Sequence, residues 1–517
     1  TGTDCAEAVL SREGGRLLLT LENVRYTRAV RLDVRRSDVY FTYDPNGGYP
    51  EGRVTVPVTP SHLRLNTAGA LFSREGFTFT GWNTRADGSG TAVGPGSRAD
   101  AGEGTVFYAQ WAQWTDERLF AFEGGVISGY SGDADTLVIP ASIRGEAVVT
   151  LKEGAFEHCS ASTVVFPDSL RTVEPGAFRD ASVRVLSLSD SLRTVSDYSF
   201  EGCTALETLR IRQSAAPVYA GTYYASFADK FDRLLALKDR RKIVLFSGSS
   251  ARFGYDSAMI DRAFPDYEVV NMGVFAYSNA LPQLLLIRSC MNPGDVLLLS
   301  PELDAAKRQF CTEDRLDAPF FSLAEADYGL VSRLDLRQFS LVFSSFQAYL
   351  SARDGMEKRS YALSPSDFDE DGNPAPAPSY NAYGDYVLYR PNAASDDPLY
   401  GLGVPYTPSY YRKEQYIDPF NRVMKTFTDA GIRVFMTYSP RNRQAVSADT
   451  TEDSIAALDA YFRANLEIPV ISDIFESLLP GRWFYGTDNH LSTEGAARRT
   501  AQVIRDLAEA LGEGGAP

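Results

Sequence analysis

The sequence predicts a multidomain chain: small β modules, then a short repeat solenoid, then a three-layer α/β/α domain built on a parallel sheet. Three observations carry the prediction. The chain has 517 residues, and single hydrophobic cores stop growing at about 250–300. Gly154-Ala-Phe156, Gly176-Ala-Phe178 and Tyr198-Ser-Phe200 recur with a period of 22 residues, which marks a repeat array. After residue 222, short apolar runs alternate with amphipathic stretches, the pattern of parallel strands covered on both faces by helices.

Residues 1–37 alternate apolar and polar positions, as in Arg16-Leu-Leu-Leu-Thr-Leu, and read as strands of a partial β module. Residues 38–114 form a second unit. Val39-Tyr-Phe-Thr-Tyr-Asp-Pro-Asn-Gly-Gly48 is a strand entering a glycine turn, and Gly76–Asn83 and Val106–Trp111 are further alternating strands around a polar loop at 85–96. The Asp-Pro-Asn-Gly-Gly, Phe-Thr-Gly-Trp and Ala-Gln-Trp elements resemble the Listeria–Bacteroides (internalin B-type) repeat. That resemblance implies a β-grasp-like module of bacterial surface proteins. Trp82 and Trp111 are expected in its core rather than on a glycan platform.

Residues 115–222 carry the 22-residue period. Asp168-Ser-Leu-Arg-Thr-Val173 returns as Asp190-Ser-Leu-Arg-Thr-Val195, and Cys159, Ala181 and Cys203 share one slot. Ala161-x-x-Val-x-Phe166 and its copies supply one short strand per turn. The pattern resembles the BspA-like leucine-rich repeats of bacterial surfaces, with three or four turns visible, and implies a spacer or docking platform.

Residues 223–517 form the predicted α/β/α domain. Strands are expected at Lys242–Phe246, Glu268–Asn271, Asp295–Leu299, Arg433–Thr437 and Ile468–Ile471, and helices near 281–290, 411–429, 453–465 and 493–512. An insertion at 305–405, rich in Tyr, Phe, Pro and Asp, is expected to hold one helix near 334–352 and to act as a lid or substrate platform. Its Asp367-Phe-Asp-Glu-Asp-Gly372 begins like a Ca²⁺ loop, but Pro378 stands where the twelfth ligand belongs. No metal is expected.

The net charge of −16 argues against nucleic acid or an anionic membrane as bulk partner. It fits an extracellular or bacterial cell-surface protein. Five cysteines, Cys5, Cys159, Cys203, Cys290 and Cys311, show no metal spacing and no C-x-x-C, and their odd number defines no disulfide framework. Cys159 and Cys203 are expected as free thiols, and Cys290 with Cys311 is a pair left open. No run approaches the ~18 apolar residues of a transmembrane helix. The chain opens without Met or signal peptide and ends without an anchor, so a removed targeting segment or a longer parent chain is expected.

The chemistry gathers around one histidine. The chain has three, His62, His158 and His490, and only His490 lies in the α/β/α domain, two residues after Asp488. Ser247-Gly-Ser-Ser250 follows the first strand, Asn271-Met-Gly273 the second and Ser300-Pro-Glu302 the third. A serine at a strand's carboxyl end with a late His/Asp pair is the make-up of a nucleophilic site.

This order resembles the SGNH (GDSL-like) hydrolase superfamily over 235–515. The resemblance implies a serine nucleophile, with Gly248-Ser249-Ser250 matching Gly-Asp-Ser and Gly254 the following glycine. That spacing selects Ser250, and a frame shifted by one selects Ser249. It implies oxyanion donors from the Ser250 and Gly273 N–H groups, and a triad completed by Asp488 and His490. Two departures stand out. Asp lies two residues before His rather than three, as in alginate-type O-acetyltransferases, with Thr487 at the usual position. Ser300-Pro-Glu302 replaces the Gly-x-Asn-Asp block, so one hole donor is absent; such a donor is typically worth ~10²–10³ in rate.

Glu302 and Arg441, with Arg443 beside it, are candidates for substrate contact. The expected function is a serine esterase or acyltransferase acting on an O-acylated polysaccharide or cell-wall polymer, without cofactor. The repeats would meet a surface protein or glycan. The alternative is a surface adhesion or scaffold protein whose SGNH-like domain is inactive. A lipase is disfavoured because no long apolar lid helix is evident.

Overall fold

The computed structural model describes residues 7–13, 16–22, 40–57, 71–95, 97, 99, 105–214, 217–303, 313–357, 380–399 and 403–512. Glu7–Glu13 and Arg16–Glu22 pair as an antiparallel hairpin. A five-stranded mixed sheet follows, ordered Val54–Pro57, Tyr40–Asp44, Val106–Gln113, Phe77–Asn83, Ala92–Val93. Alternation along Tyr40–Asp44 buries Phe41 and Tyr43 completely. Trp82 is 1% exposed and packs on Tyr43 and Phe79. The Trp111 ring packs edge-on against Phe79, and its N–H donates to the Pro45 carbonyl at 2.8 Å. Both tryptophans are packing residues.

The repeats stack two ladders of short strands. Thr136–Val138, Thr163–Val165, Val185–Ser189 and Thr208–Arg212 are parallel neighbours in that order. A second sheet joins Thr172–Val173, Thr150–Leu151, Val126–Tyr130 and Phe120–Glu123. The recurring phenylalanine builds a stack, with Phe156 on Phe178 at 4.7 Å and Phe178 on Phe200 at 5.4 Å between centroids. Cys159, Cys203 and Cys290 are free thiols. Burial pushes the Cys203 thiol up to about 11. Cys5 and Cys311 lie outside the described residues, as does the acidic run 367–372.

The next rung of that stack is Phe343, 4.2 Å from Phe200, and it belongs to the insertion. Asp197 of the repeats accepts hydrogen bonds from the backbone N–H groups of Val342, Phe343 and Ser344, so it caps the start of the Phe343–Glu357 helix from outside that helix. A helix start carries N–H groups with no partner of its own, and a carboxylate there also meets the positive end of the dipole. Asp190 meets Arg353 at 2.7 Å, and Glu325 accepts from the Tyr219 N–H. The expectation of a lid is therefore corrected for 313–357. An open solenoid end exposes apolar edges that need a cap, and this segment supplies one. The expected helix near 334–352 begins later, at Phe343.

The C-terminal domain holds a four-stranded parallel sheet ordered Glu268–Asn271, Lys242–Phe246, Val296–Leu299, Arg433–Met436. Side chains alternate between its faces. Ile243, Leu245, Val269, Val296 and Leu298 meet Val503 and Leu507 of the Thr493–Leu511 helix. Val244, Phe246, Val270, Leu297 and Leu299 share a core with Leu284, Met424 and Phe427. Helices on both faces make three layers. That last helix is capped by Ser492, which accepts from the Gly495 N–H at 3.0 Å, and stops at left-handed Gly512. The fifth expected strand at 468–471 is reduced to a single bridge between Met436 and Val470. Pro469 has no N–H to extend the ladder.

Candidate active site

The first strand lies between the second and the third, so the chain leaves it on one side and later continues on the other. Ligand crevices in open α/β sheets form at such a switch point, beyond the carboxyl ends of the strands. Two of the segments singled out from sequence, Ser247–Ser250 and Ser300–Glu302, follow neighbouring strands and meet there. The turn after the first strand is tight. A Cβ on Gly248 would lie 2.1 Å from the Ala276 Cβ and 2.4 Å from its Cα. Gly248→Ala is therefore expected to spread this turn and lose stability by ~1–3 kcal/mol, read as a lower urea midpoint. Removing the Ala276 methyl in addition should not rescue it, because the Cα clash remains.

The Ser249–Gly254 helix begins at that turn, and its phase decides which serine meets histidine. His490 Nε2 lies 2.8 Å from Ser249 Oγ. Ser249 is partly accessible, whereas Ser250 is 1% exposed. The Ser250 hydroxyl lies 3.0 Å from Ser247 Oγ and 3.3 Å from Ser439 Oγ, within a buried hydroxyl cluster in which Ser247 and Ser439 both donate to the Ser300 carbonyl. The placement of Ser250 opposite His490 is thus corrected to Ser249. One helical residue turns a side chain by about 100°, which sends Ser250 inward.

His490 packs on Phe253, with centroids 4.3 Å apart, and its backbone N–H donates to Thr487 Oγ1 at 3.0 Å. Asp488 is 4% exposed. Its Oδ1 accepts from the Leu399 N–H at 2.9 Å and from Asn442 Nδ2 at 3.0 Å. Its main-chain oxygen accepts from the Asn442 N–H at 2.8 Å. Asn442 is fully buried and was not singled out from sequence; its place two residues past the Ser439-Pro440 turn is a weak signal. Leu399 brings the end of the insertion to the histidine loop, so that part does border the site.

The expected oxyanion donors are both engaged. The Gly273 N–H donates to Asn271 Oδ1 at 3.0 Å, and Asn271 Nδ2 donates in turn to the Ala251 carbonyl and Asp385 Oδ1, each at 2.9 Å. This short side-chain ring holds the Gly273 donor within the second strand's end, which corrects its expected role. The Ser250 N–H donates to Glu302 Oε1 at 2.9 Å. Glu302 Oε1 also lies 3.4 Å from Ser249 Oγ, and Oε2 accepts from Asn489 Nδ2 at 2.8 Å. Glu302 therefore touches both the serine turn and the histidine loop. Arg441 donates to the Leu303 carbonyl at 3.2 Å, behind Glu302, and Arg443 is exposed.

Lys230 supports the same region from below. It is buried, donates to the Gly273 carbonyl and lies 4.9 Å from the Tyr380 ring centre. Burial, with Arg252 nearby, pulls its ammonium down to about 7. The folded value lies below the free one, so between about pH 7 and 10 the unfolded chain binds more protons, and stability rises with pH. Lys230→Met is expected to flatten that rise, as read from urea midpoints across the range.

An apolar cavity of about 510 Å³, its open mouth included, adjoins the site. Phe246, Phe275, Ala276, Leu284, Leu299 and Phe420 line it, and Gly248 and Glu302 stand on its wall. Among the described residues no cluster of three or more His, Cys, Asp or Glu side chains is placed to hold a metal ion.

The family model for the BspA type leucine-rich repeat region matches residues 136–230, in six copies. The repeats are of this type, and repeats of this type fit a surface adhesion or scaffold role. The crystal structure of the leucine-rich repeat protein of T. pallidum is similar to part of the chain. Identity is 19%, coverage is 20% of this chain and 72% of that one, and the TM-score is 0.13. No curated protein matches. Among the described residues no helix is long and apolar enough to cross a membrane.

Proposed function

We propose that the C-terminal domain is a serine esterase or acyltransferase of SGNH type, carried on a bacterial surface protein whose repeats serve adhesion or scaffolding. The observation behind the chemistry is the 2.8 Å contact between His490 Nε2 and Ser249 Oγ at the sheet's switch point. Ser249 Oγ bonds the carbonyl carbon of an ester as His490 takes its proton, and Asp488 steadies the imidazolium. The bond from that carbon to the leaving alcohol oxygen then breaks, and the alcohol leaves with the proton from His490. Water or an acceptor hydroxyl attacks the acyl-serine, again through His490, and Ser249 regains its proton as the acyl group departs. The cycle calls on no metal or cofactor.

The neighbouring β modules and repeats favour an extracellular O-acylated glycan or cell-wall polymer over a small soluble ester. A fluorophosphonate probe tests the reading: Ser249 is expected to become covalently labelled, and p-nitrophenyl acetate to be cleaved. Failure of both, in the wild type and in Glu302→Ala, sinks it. A second reading keeps the adhesion or scaffold role and drops turnover. Its specific support is the carboxylate of Glu302 on the Ser250 N–H, where a catalytic site needs a free donor.

A further inference from the structure

We infer that Glu302 is a built-in occupant of the oxyanion position, and that an ester carbonyl reaches Ser249 only when this carboxylate leaves the Ser250 N–H. The inference rests on Ser249 being the nucleophile. The residue following a nucleophilic serine offers the nearest backbone donor, and an oxyanion hole works when donors lie about 2.7–3.1 Å from the oxygen that becomes charged. Here that distance is already taken. Glu302 Oε1 sits 2.9 Å from the Ser250 nitrogen and 3.4 Å from Ser249 Oγ. The carbonyl oxygen of an ester bound for attack needs the same place, and the negative charge growing on it would face another negative oxygen.

The carboxylate is also well held. Its second oxygen is bonded to Asn489 Nδ2 at 2.8 Å, one residue from His490, and the side chain is 6% exposed. Glu302 thereby ties the histidine loop to the serine turn and closes one wall of the apolar cavity. It follows the third strand directly, and the parallel pairing of the first and third strands fixes it opposite Ser249. A substrate that only presents a carbonyl must displace it. A larger substrate can compete for the Asn489 amide as well as for the Ser250 N–H, so the resting site discriminates against small esters.

The test is Glu302→Ala, with Glu302→Gln beside it, in the full chain. Each variant is first matched to wild type by its thermal melting. Glu302→Ala is expected to raise the rate of fluorophosphonate labelling at Ser249, and kcat/KM for p-nitrophenyl acetate, by tenfold or more. The ceiling is ~10³, since one oxyanion donor is worth about 10²–10³. Glu302→Gln keeps the shape and loses the charge, so a smaller rise is expected; if the alanine variant does not fold, this rise carries the test. Ser249→Ala with Glu302→Ala should show no labelling. Wild-type labelling that both variants only equal or fall below overturns the role of Glu302 and leaves Ser249 as nucleophile. No labelling in wild type or in either variant overturns both.

Discussion

Ser249→Ala is expected to abolish fluorophosphonate labelling and to lower p-nitrophenyl acetate turnover by ~10³-fold or more, while Ser250→Ala leaves both within several-fold of wild type. The two serines are adjacent in sequence and opposite in environment. Ser249 is partly accessible, and its Oγ lies 2.8 Å from His490 Nε2. The Ser250 hydroxyl points into the Ser247 and Ser439 hydroxyls, and what Ser250 offers the site is its backbone N–H, which alanine keeps. Removing one buried hydroxyl from that cluster should cost only about 1 kcal/mol of stability. His490→Ala should match Ser249→Ala, and the double variant should be no worse than either, because a nucleophile and its base act as a unit. Histidine substitution elsewhere is not a route of rescue, since His62 and His158 lie outside this domain. A Ser250→Ala variant that lost labelling while Ser249→Ala kept it would reverse the assignment.

Much of the architecture was legible because it rests on short periods. The 22-residue recurrence places one phenylalanine per turn in the stack, and continuous apolar runs such as Lys242–Phe246 announce strands buried on both faces. The site was legible in its residue types and less so in its geometry. Spacing favours Ser250, yet which serine faces the histidine depends on the phase of a six-residue helix, and that phase follows from Gly248 packing against Ala276. Neither Asn442 behind Asp488 nor Glu302 on the Ser250 N–H is readable from spacing, because each contact joins segments some 46 and 52 residues apart in the chain. Pro469 shows the opposite case, a single residue that explains why an apolar run stops short of a strand. The insertion was least legible. Phe343-Ser-Ser-Phe346 reads as part of an ordinary amphipathic helix, and nothing local reveals that its first ring extends a stack from the repeats.

That junction carries the second large effect. Arg353→Ala is expected to destabilise the chain by ~3–5 kcal/mol, the usual cost of leaving a buried charge without its partner. Arg353 is 5% exposed, Asp190 1% and Glu325 1%. The guanidinium lies 2.7 Å from Asp190 and 3.4 Å from Glu325, so its removal leaves two carboxylates in a dry interface beside the Tyr328 and Tyr349 hydroxyls. Arg179 is the control. It spans Glu153, Glu157 and Glu201 across successive repeat turns, but in contact with solvent, where such pairs contribute little. Arg179→Ala should leave the urea midpoint unchanged. Hydrogen exchange gives the local reading: in Arg353→Ala the amides of Phe343–Glu357 and of the last repeat strand, Thr208–Arg212, should lose protection together. The central strand Lys242–Phe246 should stay protected. If the Phe343–Glu357 helix opens and the last repeat turn keeps its protection, the insertion is not the cap of the solenoid, and the aromatic stack ends at Phe200.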